Sequence, residues 1–226
     1  MKEQNPAGTV KIKAVIFDYG RVLSLPQPPS TVERMAEICR VPVETFRKGY
    51  WDFRLAYDRG DLSVNEYWKS RAQTFEVNLS AEQIAKIVRV DCESWSHLNP
   101  IMVEWVQQLH AMGARLALLS NMPLELKDYL VANLDLFSYF DHLVFSCDVR
   151  RVKPEPEIYQ HCLDLLKLPP NEVLFLDDKP ENVQGATQLG IHSLLFDLAE
   201  GAFAQIRDRF DLPLPASQLS AGSVAR

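Results

Sequence analysis

The chain has 226 residues, 47% apolar and 24% charged, enough for one domain with a large insertion or for two small ones, with a normal core and good solubility. Its net charge of −6 argues against a nucleic-acid surface, which needs a basic face, and no apolar run reaches the length of a membrane span. Four scattered cysteines (Cys39, Cys92, Cys147, Cys162) form no C-x-x-C pair and no leader-like apolar stretch precedes the first strand, so the thiols read as reduced and the compartment as cytoplasmic.

In chain order, residues 1–9 read as a loose tail, and KAVIF (13–17) is the first strand, with Asp18 at its exit. SLPQPPS (24–30) reads as a Pro-rich hinge and SHLNP (96–100) as the return crossing. Between them the pattern is helical. Ser30/Glu33, Ser63/Glu66 and Ser80/Gln83 each fit a capping box, and four helices over 30–95 form a small bundle. Met102, Trp105, Val106 and Leu109 then make one helix face, opened by Asn99-Pro100 and closed at Gly113. RLALL (115–119), HLVFS (142–146), EVLFL (172–176) and HSLLF (192–196) are the remaining strands; Tyr159, Cys162, Leu163 and Leu166 mark a helix between two of them. The runs are continuous rather than alternating, as in strands covered on both faces of a parallel sheet. The expected fold is α/β: a doubly wound, Rossmann-like parallel sheet with an inserted four-helix cap. The expected divisions are a core of 10–24 and 99–212, a cap of 25–98, and loose tails of 1–9 and 213–226.

Ligands of open parallel sheets bind beyond the carboxyl ends of the strands. The polar residues gather there: Asp18 after the first strand, Ser120 and Asn121 after LALL, Lys153 within VKPEPEIY, Asp177 and Asp178 after VLFL. A carboxylate in the position of Asp18 can act as a nucleophile that divides a hydrolysis into two displacements. Asp178 beside it makes a paired-acid site that calls for a hard cation, and an oxygen-only donor set favours Mg2+. Lys153 offers a point charge, and Ser120 with the Asn121 amide offers hydrogen bonds, to a phosphoryl group. Together they suit phosphoryl transfer. None of the five histidines falls in a motif cluster, and LLSNM is not a nucleophile elbow.

FDYGRVL, LALLSN, VKPEPEIY and VLFLDDKPENVQGATQLG, in that order, resemble the four motifs of the haloacid dehalogenase superfamily over about residues 12–198. The inserted helices resemble that superfamily's type-one cap. The last motif and the DRGDLS turn are most similar to the branch holding α-D-glucose-1-phosphate phosphatase-like enzymes and the N-terminal phosphatase domain of soluble epoxide hydrolase. The resemblance implies a magnesium-dependent phosphatase working through an aspartyl-phosphate on a small phosphorylated metabolite, a sugar phosphate among the candidates. It implies Asp18 as nucleophile, the Gly20 carbonyl and Asp178 completing a Mg2+ site with it, and Ser120, Asn121 and Lys153 on the phosphate. Asp177 and Asn182 align with supporting positions.

Most phosphatases of the superfamily carry a second Asp where this chain has Gly20. Three readings follow: a phosphatase whose leaving group needs little protonation, such as a sugar 1-phosphate; a 2-haloacid dehalogenase-type hydrolase, in which halide leaves without a proton; and a low-turnover binder of phosphometabolites. Arg21 either meets a substrate anion or is solvated. In FRKGYWDFRLAYDRGDLS (46–63), Phe46, Tyr50, Phe53 and Tyr57 fit a bundle core, whereas Trp51, Arg54 and Tyr57 are the candidates to face the cleft.

Overall fold

The computed structural model describes residues 9–197 and 201–221, with side chains through 218 in the last stretch. The first eight residues of the expected leading tail lie outside the described residues. β1 (Ala14–Phe17) leads into a helical turn over Tyr19–Leu23. The cap helices follow: α1 (Pro29–Cys39), α2 (Val43–Gly49), α3 (Arg54–Arg59), α4 (Val64–Thr74) and α5 (Ala81–Ser94). Then come α6 (Pro100–Ala111), β2 (Arg115–Ser120), α7 (Leu124–Asn133), β3 (His142–Phe145) and α8 (Ser146–Val149). α9 (Pro156–Leu166), β4 (Val173–Asp177), α10 (Pro180–Gln188), β5 (His192–Leu195), α11 (Gly201–Arg209) and α12 (Ala216–Ala221) follow among the described residues.

All five strands are parallel, in the order β3-β2-β1-β4-β5. Strand pleating splits the core in two. Val15, Phe17, Leu116, Leu118, Leu174 and Leu176 pack on one face, where Trp105 of α6 meets Phe17 edge-on at 5.5 Å. Ala14, Ile16, Ala117, Leu119, Val173 and Phe175 pack on the other, against Ile158, Tyr159 and Cys162 of α9. α6 starts as its sequence requires: Asn99 Oδ1 accepts from the Ile101 N–H at 3.2 Å, and Pro100 occupies the first turn. Its buried Met102, Trp105, Val106 and Leu109 each contribute about 1.5–3 kcal/mol by leaving water.

The two crossings between core and cap run side by side. Leu25 N–H donates to His97 O at 2.7 Å, and Asn99 N–H donates to Leu23 O at 2.8 Å. Cap residues Met35, Phe46, Tyr50, Tyr67, Trp68, Ile84 and Ile87 form a third apolar cluster. Both boxes at Ser63/Glu66 and Ser80/Gln83 form, each cap side chain stabilising its helix by about 1 kcal/mol.

Four expectations need correction. The Ser30 box does not form, because Pro29 already opens α1 and Ser30 lies inside it. The bundle has five helices rather than four: the 46–63 segment breaks after Gly49, and Phe53 turns the chain with φ 55°. Gly49 packs so tightly under Phe75 that a β-carbon there would lie 2.5 Å from the ring, and the break points Phe53 outward, 67% exposed, rather than into the core. Finally, part of the expected trailing tail is packed: Leu214 is buried, Trp105 Nε1 donates to Pro213 O at 2.7 Å, and α12 follows.

Candidate active site

The register of the central strands fixes the site. Phe17 pairs with Leu118 of β2 and with Leu176 of β4, so Asp18, the end of β2 and Asp177 emerge at one level of the sheet edge. Asp18 N–H still donates to Leu176 O at 2.9 Å, which holds its backbone in line with the sheet. Lys153 comes from the loop between α8 and α9. Gly185 of α10 lets that loop approach, since a β-carbon at 185 would sit 2.9 Å from Pro154 O.

Lys153 Nζ donates to Asp18 Oδ1 at 2.7 Å and to Asp177 Oδ2 at 2.6 Å, with all three side chains buried. Asp177 is saturated: Asn182 Nδ2 donates to its Oδ1 at 2.9 Å and to its Oδ2 at 3.1 Å, and Lys179 N–H donates to Oδ1 at 2.9 Å. Asp177 and Asn182 therefore orient Lys153. Asp18, Asp177 and Asp178 each present an oxygen within 4.8 Å of the others. Three carboxylates face one buried ammonium, and Arg21, 59% exposed in its side chain, reaches Asp178 Oδ2 only at 3.5 Å.

The proton affinities reflect that imbalance. Burial pushes Asp18 up to about 7 against the opposing pull of Lys153, and Asp177 and Asp178 add to the rise. Burial, then Asp177, raises Asp178. Burial alone would lower Lys153, but Asp177 and Asp18 hold it above its ordinary value. A divalent cation held by Asp18 and Asp178 would answer this shortage of positive charge. The donors are hard oxygens without His or Cys, and Asp18 Oδ2 and Asp178 Oδ1 make no hydrogen bond among the described residues, so the residues fit magnesium.

A cavity of about 320 Å³ opens above these groups. Asp18, Gly20, Arg21, Ser120, Asn121, Lys153, Asp178 and Asn182 line it from the core, and Trp51 and Arg54 line it from the cap. The Asn121 side chain is committed elsewhere: its Nδ2 donates to Lys153 O and its Oδ1 accepts from Lys153 N–H, both at 2.9 Å, which locks the lysine loop to β2. The expected phosphate contact of Asn121 would then fall to its backbone amide. Tyr57 does not line the cavity; its hydroxyl donates to Glu125 Oε2 at 2.8 Å and its ring stacks on Tyr67. Asp177 lies beneath the lining, wholly buried.

The sequence reading missed several lining residues. Asp58 sits one helical turn after Arg54, a spacing that could have flagged it. Lys179 and Tyr19 adjoin motif residues, whereas Trp95 and Leu126 carry no local signal. Trp95 stands against Gly20: a β-carbon there would lie 3.8 Å from Trp95 Cζ3 and 4.0 Å from Asp18 Oδ2. Gly20 itself has φ −64°, which any residue adopts.

The family model for haloacid dehalogenase-like hydrolases matches residues 12–190, and the chain belongs to that family. It is 26% identical to bifunctional epoxide hydrolase 2 of Mus musculus over 92% of this chain and 40% of that protein. It is 28% identical to a phosphorylated carbohydrates phosphatase of Thermotoga maritima, over 81% of this chain and 84% of that one. The chain spans 20–40% of the length of the first curated relatives it matches. Its fold matches a haloacid dehalogenase family enzyme of Bacteroides thetaiotaomicron solved as a magnesium complex, with a TM-score of 0.70, 21% identity, and coverage of 87% of this chain and 98% of that one. No helix among the described residues is long and apolar enough to cross a membrane.

Proposed function

We propose that this haloacid dehalogenase-like hydrolase is a magnesium-dependent phosphatase of a small phosphorylated metabolite, with Asp18 as the nucleophile. The observation that carries the reading is the Asp18–Lys153 pair at the floor of the cavity, beside Asp178 and short of positive charge. The phosphatases among the similar proteins support it, and a relative named for phosphorylated carbohydrates makes a sugar phosphate a fitting substrate.

Asp18, the Gly20 carbonyl and Asp178 would hold the ion, which supplies charge neutralisation so that an anionic ester can approach a carboxylate. Lys153 and Ser120 bind the phosphoryl oxygens. The Asp18 carboxylate attacks phosphorus, forming an aspartyl-phosphate as the ester P–O bond breaks and its electron pair leaves with the alcohol oxygen. Water then attacks the same phosphorus, freeing inorganic phosphate and restoring the Asp18 carboxylate. The Gly20 side chain offers no proton, so the departing oxygen takes one from water, which suits a stabilised leaving group such as an anomeric oxygen. The inserted helices act as a cap that selects substrate over the core of 10–24 and 99–212. Three buried thiols and one half-buried thiol, all unpaired, suit a reducing cytoplasm.

Phosphate release from sugar phosphates, nucleotides and phosphorylated acids, with Mg2+ and with chelator, tests the reading. Release that requires the ion supports it; halide release from 2-haloacids in chelator would replace it.

A further inference from the structure

We propose that the cap end of the cavity, built from Trp51, Arg54 and Asp58, is a subsite for an uncharged polyhydroxylated group and discriminates against substrates carrying a second anion. The inference rests on the phosphatase reading and names the substrate class of that same site.

An arginine in a cavity ordinarily draws a phosphate or carboxylate. Arg54 is different, because its charge is already spent. Its Nε donates to Asp58 Oδ1 at 2.8 Å, and its Nη1 donates to Asp91 Oδ2 at 3.2 Å and to the Tyr50 hydroxyl at 3.1 Å. Two buried carboxylates against one guanidinium leave the cap cluster with a net negative charge. The cluster is rigid. The Tyr50 hydroxyl donates to Asp91 Oδ1 at 2.6 Å, and Gln27 Nε2, from the hinge, donates to the same oxygen at 3.0 Å and to Ser94 Oγ at 2.8 Å.

What remains unused is a matched pair. Arg54 is 7% exposed and lines the cavity, yet its Nη2 makes no hydrogen bond among the described residues; neither does Asp58 Oδ2. N–H donors and a carboxylate acceptor on one cluster are what neighbouring hydroxyls satisfy, accepting from the first and donating to the second. Trp51, 53% exposed, adds an apolar ring 5.6 Å from the Arg54 guanidinium carbon, a surface for the C–H face of a sugar ring.

With a divalent ion held at Asp18 and Asp178 to offset their charge, the cavity would be polarised along its length. Lys153, Lys179 and Arg21 stand at the core end; the Lys179 charge also reaches Asp58, but its backbone belongs to the Asp177–Asp178 loop. Carboxylates dominate the cap end. A phosphate at one end and neutral hydroxyls at the other match this arrangement, while a second anion would face Asp58, with Asp91 buried behind Arg54. The distance between the two ends is fixed: Ser146 Oγ donates to Asp58 O at 2.5 Å and accepts from Met122 N–H at 3.0 Å, tying α3 to the loop that carries Ser120 and Asn121. About 320 Å³ is at the small end of ligand sites, which suits a compact substrate.

The test compares kcat/KM with Mg2+ for neutral sugar monophosphates against sugar bisphosphates and phosphoglycolate. The wild type should favour the monophosphates by roughly 10-fold or more, and Asp58→Asn should shrink that ratio by about 10-fold. Trp51→Ala, at an exposed position where folding is not at stake, should raise KM for sugar monophosphates about 5-fold, with Trp51→Phe recovering most of it. A wild type that prefers the bisphosphate or phosphoglycolate, or variants that leave the ratio and KM unmoved, overturns the inference while the phosphatase reading stands. A wild type that releases phosphate from no ester removes that reading, and the inference falls with it.

Discussion

The Lys153 ammonium sits 2.7 Å from Asp18 Oδ1, and its other strong contact is Asp177, not a substrate-facing group. The nucleophile is thus held by a cation whose own position is set from below by Asn182 and from the side by Asn121. On the proposed reading Lys153 has two duties, charge partner to Asp18 and ligand to the incoming phosphate, and the geometry of the site would depend on residues that never touch substrate.

Replacing Lys153 by Met removes the ammonium and leaves Asp18 and Asp177 buried side by side. Breaking a buried pair in this way costs about 3–5 kcal/mol. Urea unfolding should show that loss near neutral pH and a smaller one at pH 5, where a carboxylate can take up a proton; an unchanged midpoint would mean that the pair is not formed.

The raised Asp18 predicts a pH effect on the ion-free protein. A carboxyl at about 7 when folded, against 3.8 ordinarily, binds its proton more tightly folded than unfolded. Stability from this group is therefore full below about 4 and declines as pH rises to 7, by a few kcal/mol in order of magnitude. Asp18→Asn should flatten that part of the stability profile and show a higher Tm than wild type at pH 8 in chelator. Its kcat should fall by roughly 10³-fold or more. Wild-type turnover by the Asn variant would take Asp18 out of the chemistry.

Gly185→Ala would push a β-carbon to 2.9 Å from Pro154 O and displace the lysine loop. The expected cost is about 1–3 kcal/mol in stability. Because a displacement of about 1 Å at a catalytic group can cost as much as 100-fold, kcat should drop by about 10-fold or more. Normal kinetics would show that the loop tolerates the shift.

Gly20→Ala should be nearly silent. The backbone is already in an ordinary conformation, and the new methyl meets Trp95 at 3.8 Å, a normal contact. Tm and kcat close to wild type are expected; a collapse of activity would reveal that bare backbone at position 20 is needed.

Much of this was legible in the sequence because it is local. Continuous apolar runs place the strands, and the residue just past each run is delivered to the sheet edge by the strand itself, which is why Asp18, Ser120, Asp177 and Asp178 were found. Long-range packing leaves no such trace. Asp91 neutralises Arg54 across 37 positions of sequence, and Trp95 comes to stand over Gly20 from the end of α5. The left-handed turn at Phe53 has no signal in the local pattern, so the 46–63 segment read as more regular than it is. The bridge from the Asn121 side chain to the Lys153 backbone likewise appears only in the folded loop.

Fluorine NMR of the protein with beryllium trifluoride, a mimic of the phosphoryl group, bears most directly on Asp18 as a phosphate acceptor. Bound resonances should appear only with Mg2+ present and should vanish in Asp18→Asn and Asp178→Asn. Bound resonances that form equally well in chelator, or that persist in the Asp18 variant, would contradict the account.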